Sequence, residues 1–195
     1  YFFYNGGGDS ADTCLKVSQL GERLGYPIVA IHVPKTVDND LPITDTCPGF
    51  GSVAKYIATS TREAALDVRS MSRTSTKVFI LEVMGRHAGW IALYAGIAGG
   101  ADVILVPEIP FSYQSAVDKI LARDKAGKGF TLVVVAEGAF EQGSDITTTG
   151  ERSEPGEVRL GGIGAAVTAE LSRRTGKSAR VVVLGAGNVG WNAAW

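Results

Sequence analysis

Hydrophobic positions along this chain follow two rhythms that alternate from end to end. Short, β-branched apolar runs fit strands at about 1–4, 28–33, 77–83, 102–106, 131–136 and 179–184. Between them, apolar residues every three to four positions fit helices at about 11–24, 51–72, 87–98, 113–125 and 160–175. Such alternation predicts parallel strands joined by crossover helices. Cys14, Val17, Leu20 and Leu24 form the predicted buried stripe of the first helix, and Val53, Ile57, Ala64, Val68 and Met71 that of the second. Val78-Phe79-Ile80-Leu81 and Thr131-Leu132-Val133-Val134-Val135 offer apolar residues to both faces, so the fold class is α/β, an open, mostly parallel sheet with helices on both sides. From Glu141 to Glu157 the chain is polar and aperiodic, which predicts a long loop, mobile or placed over a site.

Composition narrows this picture mainly by exclusion. With 19 Lys+Arg against 20 Asp+Glu, the net charge of -1 gives no broad field for nucleic acid or an anionic membrane, so any anion site is local. The most apolar stretch, Ala88 to Val106, is broken by Gly99-Gly100 and Asp102 into pieces too short to span a bilayer. Cys14 and Cys47 form no CxxC pair and sit beside no His cluster, which predicts neither a disulfide framework nor zinc and suits a reducing cytoplasm. The chain opens on Tyr1-Phe2-Phe3-Tyr4 without Met or a signal sequence, and is expected to be a fragment.

Ligands of open parallel sheets gather at the carboxyl ends of the strands, and four loops there carry chemistry. Asn5-Gly6-Gly7-Gly8-Asp9-Ser10 lets backbone approach an anion before a helix, although it is equally a tight turn capped by Asp9 or Ser10. Pro34-Lys35-Thr36-Val37-Asp38-Asn39-Asp40 offers a general base, a magnesium ligand and a counter-charge for phosphate, although Asp-Asn-Asp before Leu-Pro is also good turn chemistry. Met84-Gly85-Arg86-His87 sets an Arg, suited to a phosphate, at the opening of the third predicted helix; His87 reads better as a plain helix-terminal residue. Ala136-Glu137-Gly138 puts a carboxylate where it can accept from a sugar hydroxyl, although a lone Glu there is more often solvated.

The joint order of these loops, with Glu82-Val83-Met84-Gly85-Arg86, Ala98-Gly99-Gly100, Val106-Pro107-Glu108 and Gly161-Gly162-Ile163-Gly164, resembles the 6-phosphofructokinase family from Asn5 to about Gly185. That resemblance implies a phosphofructokinase-like α/β region over 1–185, spanning parts of the family's two subdomains, followed by an atypical tail at 186–195. It implies Asp38 as the base on the sugar 1-hydroxyl, with Thr36 and Asp40 at the transferred phosphoryl group and its Mg²⁺. It also implies Met84, Gly85, Arg86, Glu137 and Arg180 as fructose 6-phosphate contacts, with Lys77 where the family often has an Arg from a neighbouring subunit, hence a homo-oligomer. Catalysis of this kind is positioning plus neutralisation of spread charge, which Lys35 and Arg86 suit.

Gly7, Gly8, Asp9, Ser10 and Lys35 fall on the donor phosphate. ATP-dependent members carry glycine where Lys35 and Asp9 stand, so the resemblance is to the pyrophosphate-dependent branch, with ATP use or a non-catalytic paralogue as alternatives. Position 8 is Gly where most of the family has a metal-holding Asp, which shifts the expected metal ligands to Asp9 and Asp40. The family's His and Arg for the sugar 6-phosphate are expected after Gly185, where Ala186-Gly187-Asn188-Val189-Gly190 stands instead. The resulting GxGxxG lacks the following helix and strand that a dinucleotide site needs, and the isolated chain is expected to be inactive.

Overall fold

A computed structural model describes residues 1–146, 148–152, 158–160 and 162–185. Its elements run β1 Phe2–Gly6, α1 Gly8–Arg23, β2 Ala30–Pro34, α2 Phe50–Met71, β3 Val78–Val83, α3 Trp90–Gly99, β4 Val103–Leu105, α4 Tyr113–Lys125, β5 Thr131–Ala136, β6 Thr148–Arg152, β7 Val158–Leu160, α5 Ile163–Thr175 and β8 Ala179–Leu184. The alternation expected from the sequence is present, but the parallel strands form two sheets. β1 pairs with β2 alone, whereas β4-β5-β3-β8 make a four-stranded parallel sheet.

The four-stranded sheet is the centre of the molecule because its strands are apolar on both faces. Along β3, Phe79, Leu81 and Val83 join a core with α2 and α3, while Val78 and Ile80 join a second core with α4 and α5. β5 divides in the same way, with Leu132, Val134 and Ala136 on one side and Val133 and Val135 on the other. Ile57, Ile80, Ile91, Ile120 and Leu171 are fully buried in these layers, each worth about 1.5–3 kcal/mol of transfer free energy.

The β1–α1–β2 unit is thinner. Cys14 and Gly21 are the buried residues of α1, and Leu20 and Leu24 of the predicted stripe are exposed. A Cβ on Gly21 would lie 2.7 Å from the Tyr26 carbonyl oxygen, so the turn that follows α1 folds back closely against the helix at Gly21.

Two further expectations change. Part of the predicted 141–157 loop is strand: β6 pairs antiparallel with β7, whereas 147, 153–157 and 161 lie outside the described residues, as does the 186–195 tail with its GxGxxG. The third helix begins at Trp90 instead of His87, because Gly89 is its N-cap and the Gly89 N–H donates to Glu108 Oε1 at 2.8 Å.

Asp102 fastens β4 to β5. Its Oδ1 is 2.8 Å from Arg123 Nη1, and its Oδ2 accepts from the Leu132 N–H at 2.9 Å, with both side chains mostly buried. Asp102→Ala is expected to cost about 2–3 kcal/mol in urea unfolding, because it strands a guanidinium and an amide together. No helix among the described residues is long and apolar enough to cross a membrane.

Candidate active site

The glycine-rich loop starts where β1 ends. Gly7 is the N-cap of α1 with no side-chain cap, so neither Asp9 nor Ser10 caps the helix; both lie inside its first turn. The first helical bond recorded there runs from the Ala11 N–H to the Gly7 carbonyl at 3.1 Å, leaving the amides of Gly8, Asp9 and Ser10 ahead of it. A bare helix amino terminus of this kind holds an anion well. The register Gly6↔Pro34 and the Lys35 N–H bond to the Gly6 carbonyl (2.8 Å) bring the next loop alongside. A Cβ on Gly7 would stand 3.5 Å from Thr36 Cβ, so bare backbone at Gly7 faces Thr36.

Residues 35–40 turn sharply at the end of β2. Thr36 Oγ1 accepts from the Asp38 N–H at 3.3 Å, Val37 is buried in the α2–α3 core, and Asn39 is buried in the left-handed region at φ 57°. Asp38 Oδ1 and Asp40 Oδ1 are both buried without a hydrogen-bond partner. Orphaned carboxylate oxygens are costly unless a proton or cation comes to them. Burial first, then Asp40 and Glu137, pushes the Asp38 carboxyl up to about 6, against the opposing charges of Arg86 and Lys35. The charges of Arg86 and Glu137, which come from the other sheet, thus act on Asp38 in the 35–40 loop.

On that other sheet, β3 ends at Val83 and the chain passes half-buried Met84 to Gly85 at φ 140° and Arg86. The Gly85 N–H points at Glu137 Oε1 at 3.5 Å, and burial raises the Glu137 carboxyl above its ordinary range despite that amide and Arg86. Gly138 permits the approach: a Cβ there would sit 1.9 Å from the Arg86 carbonyl oxygen.

The sequence-predicted residues therefore divide. Gly7, Lys35, Thr36, Asp38, Asp40, Arg86 and Glu137 converge at the carboxyl ends of β1, β2, β3 and β5. Lys77 and Arg180 do not join them within this chain. Lys77 precedes β3, Arg180 pairs with Phe79 one residue into it, and both lie at the amino-terminal end of the four-stranded sheet. Lys77 there lines an open cavity of about 990 Å³ with Arg69, Arg73, Arg123 and Lys128. Arg86 is also not at a helix terminus, since α3 starts four residues later.

Three contributors stand in the quoted motifs without a role assigned from sequence. Buried Glu82 accepts from the Gly164 N–H at 2.7 Å and so holds the start of α5 to β3; Gly138 and Asn39 are the others. Gly138 carried a signal, a glycine directly after a strand-end carboxylate, whereas Glu82 stood in the Glu82–Arg86 motif with no role of its own.

As a class, this is a parallel α/β protein that gathers a helix amino terminus, paired carboxylates and two cations where its two sheets meet. The phosphofructokinase family model matches residues 1–194. The curated pyrophosphate–fructose 6-phosphate 1-phosphotransferase of Methylococcus capsulatus is 56% identical over 187 residues, spanning 90% of this chain and 43% of that protein. An ATP-dependent 6-phosphofructokinase of Chloroflexus aurantiacus is 49% identical over 164 residues, 84% of this chain and 42% of that one. The crystal structure of the pyrophosphate-dependent phosphofructokinase from Nitrosospira multiformis superposes with a TM-score of 0.76 at 48% identity, covering 100% of this chain and 49% of that one. The chain belongs to the phosphofructokinase family, and spans less than half the length of the relatives named here.

Proposed function

We propose that this chain carries the catalytic loops of a phosphotransferase that moves a phosphoryl group from pyrophosphate to the 1-hydroxyl of fructose 6-phosphate, giving fructose 1,6-bisphosphate and orthophosphate, a glycolytic step. The observation that carries the reading is the pair of unpartnered, buried carboxylate oxygens of Asp38 and Asp40 beside Arg86, Lys35 and the bare terminus of α1. Asp38 accepts the proton of the sugar hydroxyl as its oxygen bonds to phosphorus and the bridging P–O bond of the donor breaks. Lys35 and the α1 amides offset the charge of the departing phosphate, and Thr36 stands over the transferred group. Arg86 and Glu137 hold the sugar phosphate, with Met84 and Gly85 against it.

The orphaned oxygens also fit Mg²⁺, which takes one or two carboxylates, keeps waters and completes its shell with substrate phosphate. When bound, Mg²⁺ neutralises charge on the phosphoryl oxygens; Asp40 would hold it, with Asp9 a further candidate in the first turn of α1.

Because Lys77 and Arg180 lie at the far end of the sheet, a second copy of the protein would have to supply them, which supports a homo-oligomer. Free, buried Cys14 and Cys47 suit the reducing cytoplasm in which we place the protein. Steady-state rates with pyrophosphate and with ATP test the donor. Turnover of the full-length protein is expected with pyrophosphate, and Lys35→Gly combined with Asp9→Gly is expected to gain measurable ATP use. Turnover with ATP alone would favour the second reading, which the Chloroflexus similarity supports.

A further inference from the structure

The carboxylates of the 35–40 loop make no internal bonds through their buried oxygens, so something else must hold the loop. Asn39 stands between them, buried, with both ends of its amide occupied. Its Oδ1 accepts from the Cys47 N–H at 2.8 Å and its Nδ2 donates to the Asp45 carbonyl at 3.2 Å. Its own N–H reaches the Thr36 carbonyl at 3.4 Å, so a single residue gathers positions 36, 45 and 47 around itself. Cys47 is buried in turn, and its carbonyl accepts from the N–H of Phe50, the first residue of α2, at 3.2 Å.

The placement matters because the loop bridges the two sheets. Asp38 and Asp40 extend from β2, whose sheet packs chiefly on α1, whereas Arg86 and Glu137 extend from the four-stranded sheet that α2 covers. The Asn39 side chain is a polar tie from the carboxylate loop to the 45–47 segment leading into α2, alongside the apolar anchor Val37. Its left-handed backbone, φ 57°, is one that Asn tolerates better than most residues.

We propose that Asn39 is the positioning residue of the carboxylate loop: its amide ties the loop to the 45–47 segment that leads into α2, so that the buried oxygens of Asp38 and Asp40 stay free of internal bonds and Asp38 keeps its place near Arg86 and Glu137. This rests on the phosphotransferase reading only where turnover is used to read it.

Asn39→Gly removes the amide while keeping the left-handed conformation accessible, and Asn39→Asp keeps the acceptor for the Cys47 N–H while losing the donor to Asp45. The full-length protein that contains this sequence is compared, not the 195-residue chain alone, at a temperature where near-ultraviolet dichroism shows each variant folded. For Asn39→Gly, kcat is expected to fall at least tenfold with KM for fructose 6-phosphate within twofold, and the amides of Asp38 and Cys47 to exchange at least tenfold faster. Asn39→Asp is expected to fall between this variant and the parent in Cys47 exchange. Unchanged kcat with both amides deprotected would overturn the proposal, as would kcat and KM changes tracking a loss of folded protein. If the parent turns over neither donor, the phosphotransferase reading fails. The exchange rates then decide alone, and parent-like protection of Asp38 and Cys47 in Asn39→Gly overturns the tie.

Discussion

Replacing Asp38 by Asn is expected to lower kcat roughly a hundred- to ten-thousand-fold, the usual worth of a positioned general base, and to make the metal-free protein more stable. Both results have one cause. Burial and the neighbouring Asp40 and Glu137 raise the folded-state carboxyl to about 6 from an ordinary 3.8. A raised carboxylate favours folding at low pH, where it carries its proton, and loses that contribution as pH rises through about 6. Ionised Asp38 therefore destabilises the metal-free fold near neutrality by on the order of 3 kcal/mol. An amide of the same shape avoids the cost. Thermal unfolding of both proteins in a chelator at pH 5 and pH 8 checks this: the variant's advantage should appear at pH 8 and shrink at pH 5. An advantage that is the same at both values would remove Asp38 ionisation as its source. In turnover, the sign runs the other way, with the rate falling as pH drops below the value at which Asp38 takes up its proton.

The second large effect is expected at a residue with no chemistry of its own. Gly138→Ala puts a methyl group 1.9 Å from the Arg86 carbonyl oxygen and 2.9 Å from that of Gly85. Neither is the end of a flexible side chain, so the backbone of the Arg86 loop has to move. Overpacking of this kind costs about 1–3 kcal/mol or more, or roughly 2–4 °C in Tm per kcal/mol for a domain of this size. Displacement of Arg86 and of the Gly85–Glu137 contact should raise KM for fructose 6-phosphate at least about tenfold, since misplacement by an ångström is costly in such sites. Gly51→Ala is the matched control, because α2 leaves open space where its Cβ would lie, and stability there should hold or rise slightly. A Gly138→Ala protein with parent-like KM and Tm would show that the loop yields freely.

Much of this molecule was legible in its residues. The two-sided apolar runs at Val78–Leu81 and Thr131–Val135 require helices on both faces, and α2, α3, α4 and α5 provide them. The order of polar loops after strands marked Lys35 to Asp40, Arg86 and Glu137, because strand ends are where a parallel sheet leaves side chains and amides uncommitted. Local pattern failed where an outcome depended on what lay across space. Periodicity placed Leu20 and Leu24 on the buried stripe of α1, but only Cys14 and Gly21 of that helix are buried and both leucines are exposed. Helical spacing carried the third helix back to His87, but Glu108, nineteen residues beyond Gly89, takes the Gly89 amide and fixes the start at Trp90.

The sequence by itself determined the strand–helix alternation, the identity of the chemical groups and the family to which they belong, since these follow from nearest-neighbour sterics, burial period and motif order. Only the tertiary structure decided that the strands split into two sheets, that Asp38 meets Arg86 and Glu137 across the gap, and that Lys77 and Arg180 lie at the opposite end. The reason is physical: a loop's composition says which groups it offers, whereas their burial, their unpartnered oxygens and their raised proton affinity depend on what the rest of the chain packs against them.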